Sequence, residues 1–91
     1  MAYQLRTTPT FDHTFKRLDA STARHVAKKL QWLSAHPELL RQTVRHLPAD
    51  LQGLQKYRVG DWRVLFWVDH STQTMTLYAV EHRSSIYKRF L

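Results

Sequence analysis

The stretch from Leu54 to Glu81, LQKYRVGDWRVLFWVDHSTQTMTLYAVE, changes the hydrophobic period of the chain to two. Apolar β-branched and aromatic residues alternate with polar ones in three runs, which are separated by Gly60-Asp61 and by the polar residues 70–73. Short alternating runs bounded by turn residues are typical of strands. The stretch therefore predicts a three-stranded antiparallel meander over residues 54–59, 62–69 and 74–81.

The register of the first hairpin brings basic side chains together. If Gly60-Asp61 is a two-residue loop, Val59 pairs with Trp62 and Arg58 lies directly opposite Arg63. Six apolar side chains then share the face that can be buried: Tyr57, Val59, Trp62, Val64, Phe66 and Val68. The opposite face carries Lys56, Arg58 and Arg63. A one-residue slip would turn these cations toward the core, so their burial cost supports the register.

Two arginines directly across a strand pair destabilise it by up to about 1 kcal/mol, so a bound anion is expected between them. Two alternatives stay open at this point. The guanidinium groups can splay into solvent, or an acid such as Asp61, Glu81 or Asp50 can neutralise them.

The N-terminal half predicts a strand and two helices. Residues 3–7 alternate as a half-buried strand, and Thr8 with Pro9 is typical of a helix start. Phe11, Phe15 and Leu18 form the apolar stripe of that helix. Asp19 or Ser21 caps a second helix, which ends at His36-Pro37. The apolar positions of this helix are Ala23, Val26, Ala27, Leu30 and Leu33.

Three segments carry weaker signals. The charged face of the second helix, Arg24, Lys28 and Lys29, is expected to be solvated surface. Residues 37–47 predict a further helical turn or two, and residues 84–91 fit either a short helix or an extended tail. The fold class is therefore α+β: one domain over residues 1–91, with the N-terminal strand and two-helix hairpin packed on one face of a small, mainly antiparallel four-stranded sheet.

Composition narrows the kind of function. Fourteen Lys and Arg against seven Asp and Glu give a net charge of +7, which suits a protein that meets phosphates or an acidic partner. Cysteine is absent, which excludes a thiol nucleophile, and the six histidines show no ligand spacing, so no metal or cofactor is expected. No apolar run approaches the roughly 20 residues of a membrane span, and no signal peptide is evident, which predicts a cytoplasmic protein.

The block KYRVGDWRVLFWVD, followed by VEHRSSIY, resembles the signature half of the RelE/ParE toxin superfamily. The N-terminal strand, the helical hairpin and the proline after the second helix also fit, so the likeness covers nearly the whole chain. Trp62 stands where many members have tyrosine. The resemblance implies the toxin of a type II toxin–antitoxin system, and its RelE-like branch implies an endoribonuclease that cleaves mRNA in the A site of the 30S subunit.

The resemblance also implies a set of functional residues. The residues expected to be catalytic are Lys56, Arg63, His82, Arg83 and Tyr87, and those expected to bind RNA are Lys56, Arg58, Arg63 and Lys88. His82 is either a catalytic acid or base or a structural histidine at a strand end. RNA supplies its own nucleophile, the ribose 2′-OH, so the protein need only position the RNA, neutralise charge and transfer protons.

The expected partners are mRNA on the ribosome and an acidic or wrapping antitoxin protein. A toxin–antitoxin heterotetramer is an expected assembly, and no membrane is expected to take part. Two other functions stay open. A ParE-like toxin would inhibit DNA gyrase without nuclease activity, and a non-catalytic RNA-binding module would bind phosphates without cleaving RNA.

Overall fold

The computed structural model describes residues 2–40, 47 and 49–85. The elements run in the order β1 (Gln4–Thr7), α1 (Pro9–Lys16), α2 (Ala20–Ser34), β2 (Gln55–Val59), β3 (Trp62–Asp69) and β4 (Thr74–His82). Short 3₁₀ turns at Pro37–Leu39 and Ala49–Leu51 lie between α2 and β2, and residues 83–85 are helical. The predicted α+β fold is confirmed.

The four strands form one sheet in the order β1-β4-β3-β2. β1 runs parallel to β4, and the other neighbours are antiparallel. The predicted hairpin register is confirmed, because Val59 pairs with Trp62 and Arg58 with Arg63. Gly60 has a φ of +61° and Asp61 does not share the positive φ, which is the pattern of a type II′ turn with glycine at its first central position.

Both helices begin at the predicted caps. The Thr8 hydroxyl accepts from the Phe11 amide, and the Asp19 carboxylate accepts from the Thr22 amide and hydroxyl, which lowers the pKa of Asp19. α1 ends at Lys16, so Leu18 packs against the core from the connection that follows the helix.

The main core lies between the helices and one face of the sheet, called here the helix face. Its buried members come from α1, α2 and the strands: Phe11, Val26, Leu30, Leu33, Leu40, Val59, Val64, Phe66, Met75, Leu77 and Val80. Tyr57, Trp62 and Val68 pack against them half-buried, so the six apolar residues of the predicted buried face do lie together.

A β-bulge in β4 decides which way the end of that strand faces. Leu65 pairs with Ala79 while Phe66 pairs with Leu77, so Tyr78 is an extra residue without a partner on β3. Before the bulge, the odd-numbered Met75 and Leu77 lie in the main core. After the bulge, the even-numbered Val80 lies there instead. The bulge therefore turns the even-numbered residues of the strand end toward the helix face.

α1 satisfies the backbone of the bulged segment, which extends beyond the end of β1. The Thr8 hydroxyl donates to the carbonyl oxygens of Leu77 (3.0 Å) and Tyr78 (3.1 Å). The Thr14 hydroxyl donates to the Phe11 carbonyl and accepts from the Val80 amide at 3.0 Å. Buried backbone groups need such partners, so these two threonines stabilise the bulge.

Candidate functional site

The other side of the sheet, called here the outer face, is divided into two halves. Beside the β3–β4 turn, the segment that precedes β2 covers a second apolar cluster of buried Leu47, Leu54, Leu65 and Ala79. The Trp67 indole N–H donates to the Gln52 carbonyl at 3.0 Å. The indole ring of Trp67 packs edge-on against Tyr78. Beside the Gly60-Asp61 turn, the outer face carries charged side chains instead.

The basic cluster, defined as Lys56, Arg58, Arg63 and Arg83, lies in this second half. Lys56 and Arg58 alternate with core residues along β2, and both side chains are exposed. Lys56 pairs with Leu65 of the outer-face cluster, and Arg58 pairs with Arg63. The structure thus brings together the three cations that the hairpin register predicts.

Arg63 is half-buried and bonded to its own hairpin. Its Nη1 donates to the carbonyl oxygens of Gly60 and Trp62, each at 3.0 Å. A guanidinium group has five N–H donors, so the Nε and Nη2 hydrogens are not used by these two bonds. Those atoms form the edge with which arginine binds a phosphate through two parallel hydrogen bonds.

Arg83 is held beside the same turn. Its amide donates to the Asp61 carbonyl at 2.8 Å, and its Nε lies 3.9 Å from the Asp61 carboxylate. The two side chains are 61% and 68% exposed, so water screens this ion pair and it contributes little to stability. The amide bond to Asp61 fixes the backbone of Arg83 beside the Gly60-Asp61 turn, and the exposed guanidinium group stays accessible.

Glu81 is the acid that β4 places beside the basic cluster, and it is one of the neutralising acids that the sequence leaves open. It pairs with Arg63 across β3 and β4, so Arg58, Arg63 and Glu81 form one row across three strands. Neighbouring strands lie about 4.8 Å apart, which places the Glu81 carboxylate beside Arg63 and one strand further from Arg58. The charge of this row is therefore +1 rather than +2, and Glu81 joins the candidate residues as a potential proton acceptor.

His82 lies on the helix face, away from the basic cluster. It pairs with Trp62, and the two rings meet edge-on with centroids 5.3 Å apart. Its Nδ1 lies 2.9 Å from the Ser84 hydroxyl, and it borders a cavity of about 190 Å³ with Thr14 and Arg17. This position favours the structural alternative for His82.

The other expected site residues, Tyr87 and Lys88, lie outside the described residues. Within residues 2–40, 47 and 49–85, no group of three or more His, Cys, Asp or Glu side chains could hold a metal ion. No helix in the same part of the chain combines the length and hydropathy of a membrane span.

Comparison with known proteins identifies the family. The family model of the ParE toxin of type II toxin–antitoxin systems (parDE) matches residues 5–87. The toxin–antitoxin complex RelBE2 of Mycobacterium tuberculosis contains a chain with a TM-score of 0.79 and 25% identity, over 92% of this chain and 94% of that one.

Two further structures share the fold at lower identity. The isolated RelE toxin of E. coli gives a TM-score of 0.71 at 18% identity, over 99% of this chain and 100% of that one. The archaeal RelE–RelB complex of Pyrococcus horikoshii gives a TM-score of 0.68 at 18% identity, over 91% of this chain and 97% of that one. No curated protein sequence matches the chain. With its fold, its hairpin and its family match together, the chain belongs to the ParE toxin family of type II toxin–antitoxin systems, within the RelE/ParE superfamily.

Proposed function

We propose that this toxin cleaves translated mRNA in the ribosomal A site by attack of a ribose 2′-OH on the adjacent phosphate. The observation that carries the proposal is the basic cluster on the outer face, in which the two hairpin bonds of Arg63 use Nη1 and not Nε or Nη2. Four cations outnumber the two neighbouring acids, Asp61 and Glu81, and such a positive surface fits an RNA phosphate better than it fits any neutral substrate.

The reaction requires no protein nucleophile. The 2′ oxygen forms a bond to phosphorus, the bond from phosphorus to the 5′ oxygen breaks, and the products are a 2′,3′-cyclic phosphate and a 5′-OH. Arg58, Arg63 and Arg83 stabilise the charge that develops on the phosphoryl oxygens, where one well-placed donor contributes about 10²- to 10³-fold in rate.

Two proton transfers complete the reaction. A group on the protein accepts the 2′ proton, and the leaving 5′ oxygen takes a proton from solvent water. Glu81 and Lys56 both lie on the outer face near Arg63, on the strands that flank β3. A carboxylate accepts a proton directly, whereas an ammonium group must first lose one, so we assign the acceptor role to Glu81. Tyr87 remains a prediction for base stacking or phosphate contact.

The toxin needs the ribosome because the basic cluster lies on an exposed strand surface. Cleavage by 2′-OH attack depends on holding the nucleophile in line with the leaving oxygen. An open surface fixes the phosphate but not the ribose, so a second surface must orient the RNA. The ribosomal A site supplies that surface, and the message it holds is the substrate.

A cognate antitoxin is the second proposed partner. The structures similar to this chain include RelB–RelE complexes from bacteria and archaea. A net charge of +7 favours an acidic antitoxin segment, and a segment that covers Lys56, Arg58 and Arg63 would block the site directly. A toxin–antitoxin heterotetramer is the assembly we propose.

Gyrase inhibition is the alternative function, and two observations favour it. The matching family model is that of the ParE toxin, and Glu81 neutralises part of the charge that an RNA site would use. In this alternative the basic cluster binds only the antitoxin, and no residue of the chain is catalytic.

Mapping of 5′ ends on a translated message after induction of the toxin separates the two functions. We expect new 5′-OH ends in phase with codons, which disappear when Arg63→Ala replaces the wild type at equal protein level. Intact messages together with loss of plasmid supercoiling would reject the endonuclease and favour gyrase. Recovery of 5′-phosphate ends would reject the 2′-OH mechanism.

A further inference from the structure

A second cationic surface lies on α2, on the other side of the molecule from the basic cluster. Its members, called here the α2 stripe, are His25, Lys28, Lys29, Trp32 and His36. Their spacing of three, four, seven and eleven residues places them on one side of the helix, extended to the turn after it, over about 16 Å. Solvation of the two lysines does not account for the exposed aromatic residue between Lys29 and His36.

Trp32 is 43% exposed, which is high for the largest apolar side chain. The Lys29 ammonium lies 5.9 Å from the centroid of its ring, and the His36 ring stacks on it at 4.1 Å with planes 17° apart. His36 Nδ1 lies 2.8 Å from the Trp32 carbonyl oxygen. A carbonyl only accepts, so Nδ1 carries the hydrogen and Nε2 is the ring nitrogen left for another partner.

The α2 stripe carries the cations Lys28 and Lys29 and no acid. Residues 20–34 contain no acid, and the nearest acids along the chain, Asp19 and Glu38, lie beyond its two ends. His25, Lys28, Lys29 and Trp32 border a shallow hollow of about 290 Å³. Such a surface attracts an anion, and the fixed rings of Trp32 and His36 add apolar contact without a large loss of side-chain entropy.

We propose that the α2 stripe binds the phosphate backbone of base-paired RNA. A helix face is convex and its hollow is shallow, so it cannot enclose an unstacked base. The wide, shallow minor groove of A-form RNA presents phosphates and 2′-hydroxyls to such a face, where lysines contact phosphates and the rings contact sugars. The inference rests on the proposed function only in taking RNA as the partner. The sheet lies between this surface and the basic cluster, so the two sites act on different RNA segments.

The test measures binding of a fluorescent RNA stem-loop by anisotropy, with full-length toxin that carries Arg63→Ala to prevent cleavage. Lys28→Gln with Lys29→Gln should weaken binding about tenfold or more at low salt, since a charged hydrogen bond is worth about that factor. The slope of log affinity against log salt should fall by about two, one for each lysine. Lys16→Gln with Arg17→Gln removes the same charge from exposed positions on and just after α1 and serves as the matched control.

Trp32→Ala tests the aromatic part and should weaken stem-loop binding by a few fold while leaving the salt slope unchanged. An equal loss in the control pair would show that only net charge matters and would overturn the proposal. Tighter binding of a poly-glutamate peptide than of the stem-loop, unaffected by Trp32→Ala, would instead assign the surface to an acidic protein. If the wild type cleaves no message but the α2 variants still lose stem-loop binding, the proposed nuclease fails while the α2 surface stands.

Discussion

Arg63 bonds to the carbonyl oxygens of its own hairpin through Nη1, and these two bonds do not use its Nε and Nη2 donors. We expect Arg63→Ala and Arg83→Ala each to lower single-turnover cleavage by about 10²-fold or more. Arg63→Ala should also cost about 1 kcal/mol of stability from its lost backbone bonds, whereas Arg83→Ala should leave stability nearly unchanged. Thermal unfolding separates these effects from catalysis. Wild-type cleavage by both variants would show that the active site lies elsewhere.

Lys56 and Arg58 are exposed residues of the same face, so their role should be mainly to hold the RNA. Lys56→Ala and Arg58→Ala should weaken RNA engagement as well as lower the rate. The loss should shrink as salt rises, because each variant removes one phosphate contact. Titration of single-turnover rates at two salt concentrations measures this. A salt-independent defect would argue against phosphate contact.

Glu81 and His82 are adjacent in sequence but face opposite sides of the sheet. Glu81→Gln should tighten RNA binding by removing a negative charge beside Arg63, and should lower the cleavage rate by about 10²-fold or more as expected for a lost general base. His82→Asn is the matched control and should leave the rate within a few fold. Tighter binding with an unchanged rate would reduce Glu81 to a screening residue and transfer the acceptor role to Lys56.

At the scale of the elements, α1 and the bulge of β4 depend on each other through two threonine hydroxyls. Thr14→Val keeps the shape of the side chain but leaves the Val80 amide without its acceptor, which should cost about 1–3 kcal/mol. Thr14→Ser restores the hydroxyl and should recover most of the stability. Chemical denaturation of the three proteins checks this. Equal stability of the valine and serine variants would show that the hydroxyl does not support the bulge.

The hairpin could be predicted from sequence because its determinants are local. Gly60 permits the turn, and the alternation on both sides of it allows one register that does not bury Arg58 and Arg63. The bulge in β4 could not be predicted from sequence, because it depends on Thr8 and Thr14, which are distant in sequence from the backbone groups they satisfy. The division of the outer face was missed for the same reason. Leu54 and Leu65 alternate like ordinary strand residues, and only the chain folded over them makes them a core.

At the scale of the whole molecule, the toxin should be harmful when it is made alone and tolerated when its antitoxin is made with it. We expect growth arrest on induction of the wild type, and arrest relieved by co-expression of the antitoxin, which should copurify and raise the melting temperature by mass action. Growth curves and a two-step purification check this. A harmless protein at high expression without a small partner would contradict the proposed toxin activity.

Cleavage should also proceed without an added divalent ion, because the proposed chemistry uses only arginine donors and a protein base. Ribosome-bound toxin should cleave at an unchanged rate with a chelator at a level that leaves ribosomes assembled. A parallel translation assay confirms that the ribosomes remain active. Loss of cleavage with translation intact would indicate a metal requirement.

The bulge at Tyr78 couples the chemistry of the outer face to the register of β4. Deletion of Tyr78 would restore strict alternation and leave Glu81 opposite Arg63 and His82 opposite Trp62, whereas loss of the bulge at constant chain length would slip the strand end by one residue. The slip would turn the carboxylate of residue 81 toward α1 and the imidazole of residue 82 toward the basic cluster, without any substitution at either position. A relative that lacks the bulge but keeps the same number of residues would thus present an imidazole where this chain presents an acid, so the bulge must be located before a catalytic role in the EHR segment is transferred between such proteins.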